Sequence, residues 1–102
     1  MDLNRSAVDI LADLHDRSIS AETLLQATFE RIDALNPTVN AIVGLADRDD
    51  VLAQARALDA GPVRGPLHGL PLAPKDLVNV AGLRSTHGSP IFADLVPDTD
   101  DV

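Results

Sequence analysis

Apolar residues recur every three or four positions in two stretches of the first third of the chain. Ser6 precedes the first stretch and Ser20 the second, and serine is a preferred residue at a helix N-cap. The pattern predicts helices over residues 7–16 and 21–35. We expect the second helix to stop before Pro37, because the residue that precedes a proline avoids the helical region. The stripe of the second helix comprises Leu24, Leu25, Thr28, Phe29, Ile32 and Leu35.

Three further elements are predicted downstream. Residues 40–45 form a short apolar run that is typical of a buried strand. Residues 47–60 have an acidic start and an apolar face, and Gly61 follows them, which predicts a third helix. Residues 70–73 are short and apolar and predict a second strand, with extended chain again over 77–80. This strand–helix–strand order favours parallel pairing and a right-handed connection.

The order of elements predicts an α/β fold, with N-terminal helices and a strand–helix–strand start of a mixed sheet. Two parallel strands make an incomplete sheet, because parallel strands normally belong to larger sheets covered on both faces. A chain of 102 residues accommodates one domain. We expect four parts in it: a leading helix over 1–19, helix–strand–helix over 20–60, a glycine- and proline-rich block over 61–90 and an acidic tail over 91–102.

Charge and composition narrow the classes of function. Sixteen acidic and eight basic residues give a formal net charge of −8, which argues against nucleic acid or an anionic membrane as a partner, because both are polyanions. The absence of cysteine excludes disulfides, thiolate zinc sites and thiol nucleophiles. The longest apolar stretch, residues 41–46, is too short to span a membrane, and the first residues do not resemble a secretory signal. A cytoplasmic location is therefore expected.

The histidines and the acidic tail do not predict a metal site. The three histidines are scattered in the sequence: His15, His68 and His87. We expect the first to lie at the surface and the other two to form hydrogen bonds in glycine-rich loops. The tail carries Asp98, Asp100 and Asp101, but it lacks the glycine and the terminal glutamate of a calcium-binding EF-hand. A solvated acidic tail, no metal and no cofactor are expected.

Lys75 is the only lysine in the chain. It follows the predicted strand over 70–73, and in open α/β sheets ligands bind outside the carboxyl ends of the strands. A lysine acts as a base only when its amine is neutral, a state that burial promotes. We expect Asp76 to point to the opposite face of an extended segment. Composition and spacing alone favour the simpler alternative, an exposed lysine or one paired with an acid.

The sequence around Lys75 resembles a known family. The run over 65–77, Gly-Pro-Leu-His-Gly-Leu-Pro-Leu-Ala-Pro-Lys-Asp-Leu, is followed by Val-Ala-Gly-Leu at 80–83 and by Ser-Thr-His-Gly-Ser at 85–89. Together they are similar to the opening catalytic block of the amidase signature family, which includes bacterial amidases and the A subunit of the tRNA-dependent amidotransferase. The resemblance extends over 20–102. Pro74 departs from it, since the family usually has an ordinary apolar residue before the lysine.

The resemblance implies hydrolysis or transfer of amides through an acyl-enzyme, by a triad of one lysine and two serines and without a cofactor. Lys75 matches the family's lysine and is implied as its general base, with a small amide as substrate. Both triad serines of the family lie downstream of these 102 residues, and Ser85 and Ser89 match the stretch after the lysine instead. We therefore expect an N-terminal portion of an amidase-like hydrolase that is inactive alone. A complementing C-terminal chain could complete it.

An alternative from another class stays open at this point. The chain could be a small acidic interaction module or a non-catalytic component of a complex, whose amphipathic helices cover a partner. The downstream sequence discriminates between the two. A glycine- and serine-rich stretch in frame or nearby favours the amidase hypothesis, and its absence favours a gene remnant or a module.

Overall fold

The computed structural model describes residues 1–101. Three α-helices lie in this part of the chain: α1 over Ala7–His15, α2 over Ala21–Val39 and α3 over Arg48–Ala60. A single turn of 3₁₀-helix follows at Pro90–Phe92. The chain divides into two compact units. The first comprises Met1–Val39 and Asp47–Pro71, and the second comprises residues 40–46 and the chain from Leu72 onward.

The three predicted helices are confirmed. Each of them begins next to a side chain that caps its first turn. At α1, Ser6 Oγ accepts a hydrogen bond from the Asp9 N–H at 3.2 Å and donates to the Asp9 carboxylate at 2.7 Å. At α2, Ser20 Oγ accepts from the Thr23 N–H at 3.0 Å. At α3, the Asp47 carboxylate accepts from the N–H of the third helical residue at 3.1 Å. These bonds satisfy backbone donors that the helix itself cannot pair.

The predicted end of α2 is wrong. The helix continues through Pro37 and ends at Val39. A proline in the last turn removes one backbone donor, and the bias of the residue before it against the helical region is a preference, not a prohibition. Asn40 ends the helix instead with a left-handed φ of +48°, a conformation that asparagine adopts more readily than most residues.

The core of the first unit is built from aliphatic side chains and one phenylalanine. α2 supplies most of it and packs against α3. Its most buried side chain is Leu24, which is 2% exposed. The Arg48 guanidinium lies 4.8 Å from the centroid of the Phe29 ring and pairs with the Asp33 carboxylate at the surface. The buried apolar residues are Ile10, Leu14, Ala21, Leu24, Leu25, Phe29 and Ala55.

The predicted strand–helix–strand start of a sheet is wrong, because no residue of 1–101 forms a β-strand. The fold class is helical, not α/β. Asn40, at the start of the first predicted strand, is left-handed and not extended. In the second segment Pro71 has no N–H to donate to a ladder, and neither has Pro74 directly after it. A strand also needs a paired neighbour, and neither segment finds one among the described residues.

Hydrogen bonds to the segment 79–85 hold the acidic tail of the second unit. The Ser85 N–H donates to the Leu95 carbonyl at 3.0 Å, and the Gly82 N–H donates to the Pro97 carbonyl at 2.9 Å. The Asp100 carboxylate accepts from the Ala81 N–H at 2.7 Å, and the Asp101 carboxylate accepts from the Asn79 N–H at 2.8 Å. The tail is exposed, as expected, but two of its carboxylates also pair with backbone donors.

The helices of residues 1–101 do not combine the length and the hydropathy of a membrane-spanning helix. None of them is both long enough and apolar enough to cross a membrane. The longest, α2, has 19 residues.

Candidate functional site

Lys75 opens a tight turn in the second unit. Its carbonyl oxygen accepts hydrogen bonds from the N–H groups of Leu77 at 2.7 Å and Val78 at 2.9 Å. The side chain is exposed and forms no ion pair with any residue of 1–101. Its position at the first residue of a hydrogen-bonded turn fixes the backbone from which the amine extends.

Asp76 connects this turn to the segment 85–89. Its carboxylate accepts hydrogen bonds from the Thr86 N–H at 2.7 Å and from the Thr86 hydroxyl. These bonds lower the pKa of Asp76, the hydroxyl most, and the Gly88 N–H and His87 act in the same direction. Because the folded-state pKa is lowered, this contact stabilises the fold above the ordinary carboxyl pKa of about 3.9, and it is lost as the pH falls through the lower value.

The segment 85–89 is held in place by several polar contacts. Ser89 Oγ accepts from the Ile91 N–H at 3.3 Å and so caps the 3₁₀ turn. His87 has a left-handed φ of +52°, and its ring centroid lies 5.4 Å from that of Phe92. Ser85 is 2% exposed, and its hydroxyl has no hydrogen-bond partner within 1–101.

Replacing Ser85 with alanine is expected to raise the free energy of unfolding of the second unit by up to about 1 kcal/mol, because a buried hydroxyl without a partner opposes folding. Urea unfolding followed by the amide NMR signals of each unit measures the change. The matched control is Ser6→Ala, which removes a helix cap and lowers the stability of the first unit by about 1 kcal/mol. A Ser85→Ala variant that loses as much stability as Ser6→Ala contradicts this assignment.

Comparison with known proteins places the chain in a family. Residues 23–102 match the family model described as Amidase. The chain belongs to the amidase family. This confirms the resemblance seen in the sequence around Lys75, which lies within the matched residues.

Curated relatives support the amidase assignment. The A subunit of the glutamyl-tRNA(Gln) amidotransferase from Acidothermus cellulolyticus is 39% identical over 102 residues, which cover 96% of this chain and 20% of the relative. The acylamidase of Rhodococcus erythropolis is 40% identical over 93 residues, covering 87% and 19%. The corresponding amidotransferase protein of an Azoarcus species is 39% identical over 101 residues, covering 96% and 20%. The chain spans about a fifth of the length of these relatives.

The lysine block of this amidase-family chain is divided between the two units. Residues 65–71 belong to the first unit and 72–77 to the second. In the first part, His68 Nδ1 accepts a hydrogen bond from the Arg64 N–H at 3.3 Å. The other ring nitrogen, Nε2, therefore carries the proton and donates to the Leu58 carbonyl at 3.2 Å. The expected hydrogen-bonding role of His68 is thereby confirmed, and His15 is exposed, as expected.

A shallow cavity of about 200 Å³ in the first unit contains a polar network that the sequence did not predict. The Asp59 carboxylate accepts from the N–H groups of Ala21 at 2.7 Å and Glu22 at 3.1 Å, so it caps α2 from the end of α3. Arg17 donates to the carbonyls of Asp59 at 2.9 Å and Gly61 at 2.8 Å. An acid in the last turn of α3 is unfavourable for that helix's own dipole, and its contacts with the start of α2 offset this cost.

Metal-ligating side chains do not cluster within 1–101. No group of three or more histidine, aspartate or glutamate side chains in this part of the chain is arranged to bind a metal ion.

The structure brings together the turn of Lys75 and the segment 85–89, and His15 and His68 belong to the first unit instead.

Proposed function

We propose that residues 1–102 are the N-terminal part of an amidase-like domain that hydrolyses carbon–nitrogen amide bonds, with Lys75 as its general base. The observation that carries the proposal is the position of Lys75. Lys75 lies in the run 65–77 that resembles the family's lysine block, and its side chain extends from a hydrogen-bonded turn and has no ionic partner within 1–101. A carboxylate bound to the amine would hold it in the protonated form, in which it cannot accept a proton.

The chemistry that we propose for Lys75 is proton transfer. The neutral amine takes the proton of a serine hydroxyl, directly or through a second serine, while the serine oxygen attacks the amide carbonyl carbon. The same proton then passes to the leaving amine as the carbon–nitrogen bond breaks. Both serines come from sequence outside these 102 residues, so we propose that the chain alone is inactive.

Exposed apolar side chains of the second unit support the proposal that the chain packs against a further part of an amidase domain. Leu72 is 71% exposed, Ile91 86% and Val96 54%. Large exposed apolar side chains are unfavourable in water and often mark an interaction surface. Since the curated relatives are about five times as long as the chain, we propose that these side chains pack against the remainder of an amidase domain. Such packing would remove water from Lys75 and favour the neutral amine.

A chimera tests the proposed function. Residues 1–102 are joined to the part of the Rhodococcus erythropolis acylamidase that lies beyond the matched region, and hydrolysis of a p-nitroanilide is followed. We expect turnover by the chimera, and none by the 102-residue chain alone or by the acylamidase remainder alone. Circular dichroism and size-exclusion chromatography establish that each protein is folded. A folded chimera without turnover contradicts the proposal, as does turnover by the chain alone above that of a Lys75→Ala variant.

A further inference from the structure

Lys75 and Asp76 are adjacent in the sequence, yet no ion pair joins their side chains. The Asp76 carboxylate is engaged by two donors of Thr86, and the Gly88 N–H and the His87 ring also lie near enough to favour its ionised form. The Thr86 hydroxyl in turn accepts from the Gly88 N–H at 3.3 Å. We call this arrangement the Asp76–Thr86 clamp.

The clamp has two physical consequences for Lys75. It joins the turn of Lys75 to the segment 85–89 by two hydrogen bonds, which restrict the backbone from which the lysine side chain extends. It also engages the carboxylate that is adjacent to Lys75 in the sequence. A free carboxylate within a few ångströms would favour the ammonium form and remove the base.

We propose that Asp76 and Thr86 are positioning residues that hold Lys75 in place and keep its amine free of an ionic partner. This inference rests on the proposed function, since it assigns the clamp to the base of that reaction. Neither residue touches the reacting atoms in this scheme. Their effect reaches the reaction only through the orientation and protonation state of Lys75.

Four variants in the chimera separate this role from a merely structural one. Thr86→Val removes the hydroxyl donor and leaves Asp76 held by the Thr86 N–H alone, so that its carboxylate can turn towards Lys75 more easily, whereas Thr86→Ser keeps both donors. Asp76→Asn removes the charge, and the double variant Asp76→Asn/Thr86→Val removes both. The matched control is Asp100→Asn, which makes the same chemical change at another carboxylate of the second unit that accepts a backbone N–H.

We expect Thr86→Val and Asp76→Asn each to lower kcat by about 10- to 100-fold with little change in KM, the loss expected for a misplaced catalytic group. The acid limb of the kcat/KM profile moves to higher pH by about one unit in Thr86→Val only, because only that variant combines an ionised Asp76 with the loss of a donor that holds it away from the amine. Thr86→Ser and Asp100→Asn keep the native rate and profile. The double variant keeps the native acid limb. Any other pattern among these variants overturns the proposal.

A measurement on the 102-residue chain itself separates this inference from the proposed function. The carboxyl carbon of Asp76 is titrated by NMR, and we expect its midpoint to lie lower in the native chain and in Thr86→Ser than in Thr86→Val. Equal midpoints in all three show that the clamp does not form and overturn the inference, whatever the chimera does. A folded, inactive chimera with an intact clamp contradicts the proposed function, and the positioning role is then overturned with it.

Discussion

Replacing Lys75 with methionine in the chimera is expected to lower kcat/KM for anilide hydrolysis by about 10²–10⁴-fold, the range that a positioned general base contributes. Methionine has a similar length and leaves the turn at 75–78 intact, because that turn is held by the Lys75 carbonyl and not by its side chain. The chain contains no other lysine that could replace it. The variant is assayed beside the native chimera at equal concentrations of folded protein.

Lys75→Arg provides the sharper control. Arginine keeps the positive charge and the approximate reach, but its guanidinium remains protonated in proteins and cannot accept a proton. Because Lys75 is proposed to act as a base, we expect the Lys75→Arg variant to be as inactive as the Lys75→Met variant. Activity in Lys75→Arg within a few fold of the native rate would show that Lys75 supplies only a charge.

Replacing Leu24 with alanine is expected to have the largest effect on stability. Leu24 is 2% exposed at the centre of the α2 face that forms the core, and Leu→Ala changes in cores cost about 2–5 kcal/mol. The whole stability of a domain this small is about 5–15 kcal/mol. The variant should therefore shift the urea midpoint of the first unit far below that of the native chain.

Leu35→Ala is the matched control for this change, since it makes the same substitution on the same helix at a side chain that is 47% exposed. We expect an effect within about 0.5 kcal/mol, as for most surface substitutions. Equal losses at Leu24 and Leu35 would contradict the packing described for α2.

The helices were predictable because their signals are local. Ser6, Ser20 and Asp47 lie next to the backbone donors that they cap, and the apolar spacing repeats within a few residues. The end of α2 was not predictable from Pro37 alone. Its steric effect disfavours the helical conformation at one residue, whereas the hydrogen bonds and packing of the neighbouring turns favour continuation of the helix. The prediction of two strands was wrong for a different reason. Strand pairing depends on partners distant in sequence, and periodicity within 40–45 or 70–73 carries no information about them.

The site shows the same division between local and distant signals. The proposal of Lys75 rests on the residues around it, through the run 65–77. The contact from Asp76 to Thr86 joins residues ten apart, and the pairing of Asp59 with the start of α2 joins residues nearly forty apart. Composition and spacing place such residues in loops or helix ends, but they do not say which backbone donors a carboxylate will reach.

The proposed function depends most directly on an amine at position 75, and restoring that amine chemically tests it. Lys75→Cys introduces the only thiol of this part of the chimera, and 2-bromoethylamine converts it to a side chain that resembles lysine with sulfur in place of one methylene. Parallel treatment with iodoacetamide adds a group without an amine, and the treated native chimera reports any reaction elsewhere. We predict that aminoethylation raises kcat/KM by at least about tenfold, a part of the general-base contribution, and that iodoacetamide does not. An aminoethylated variant that mass spectrometry shows to be fully converted and that stays inactive would contradict the assignment of Lys75 as the base.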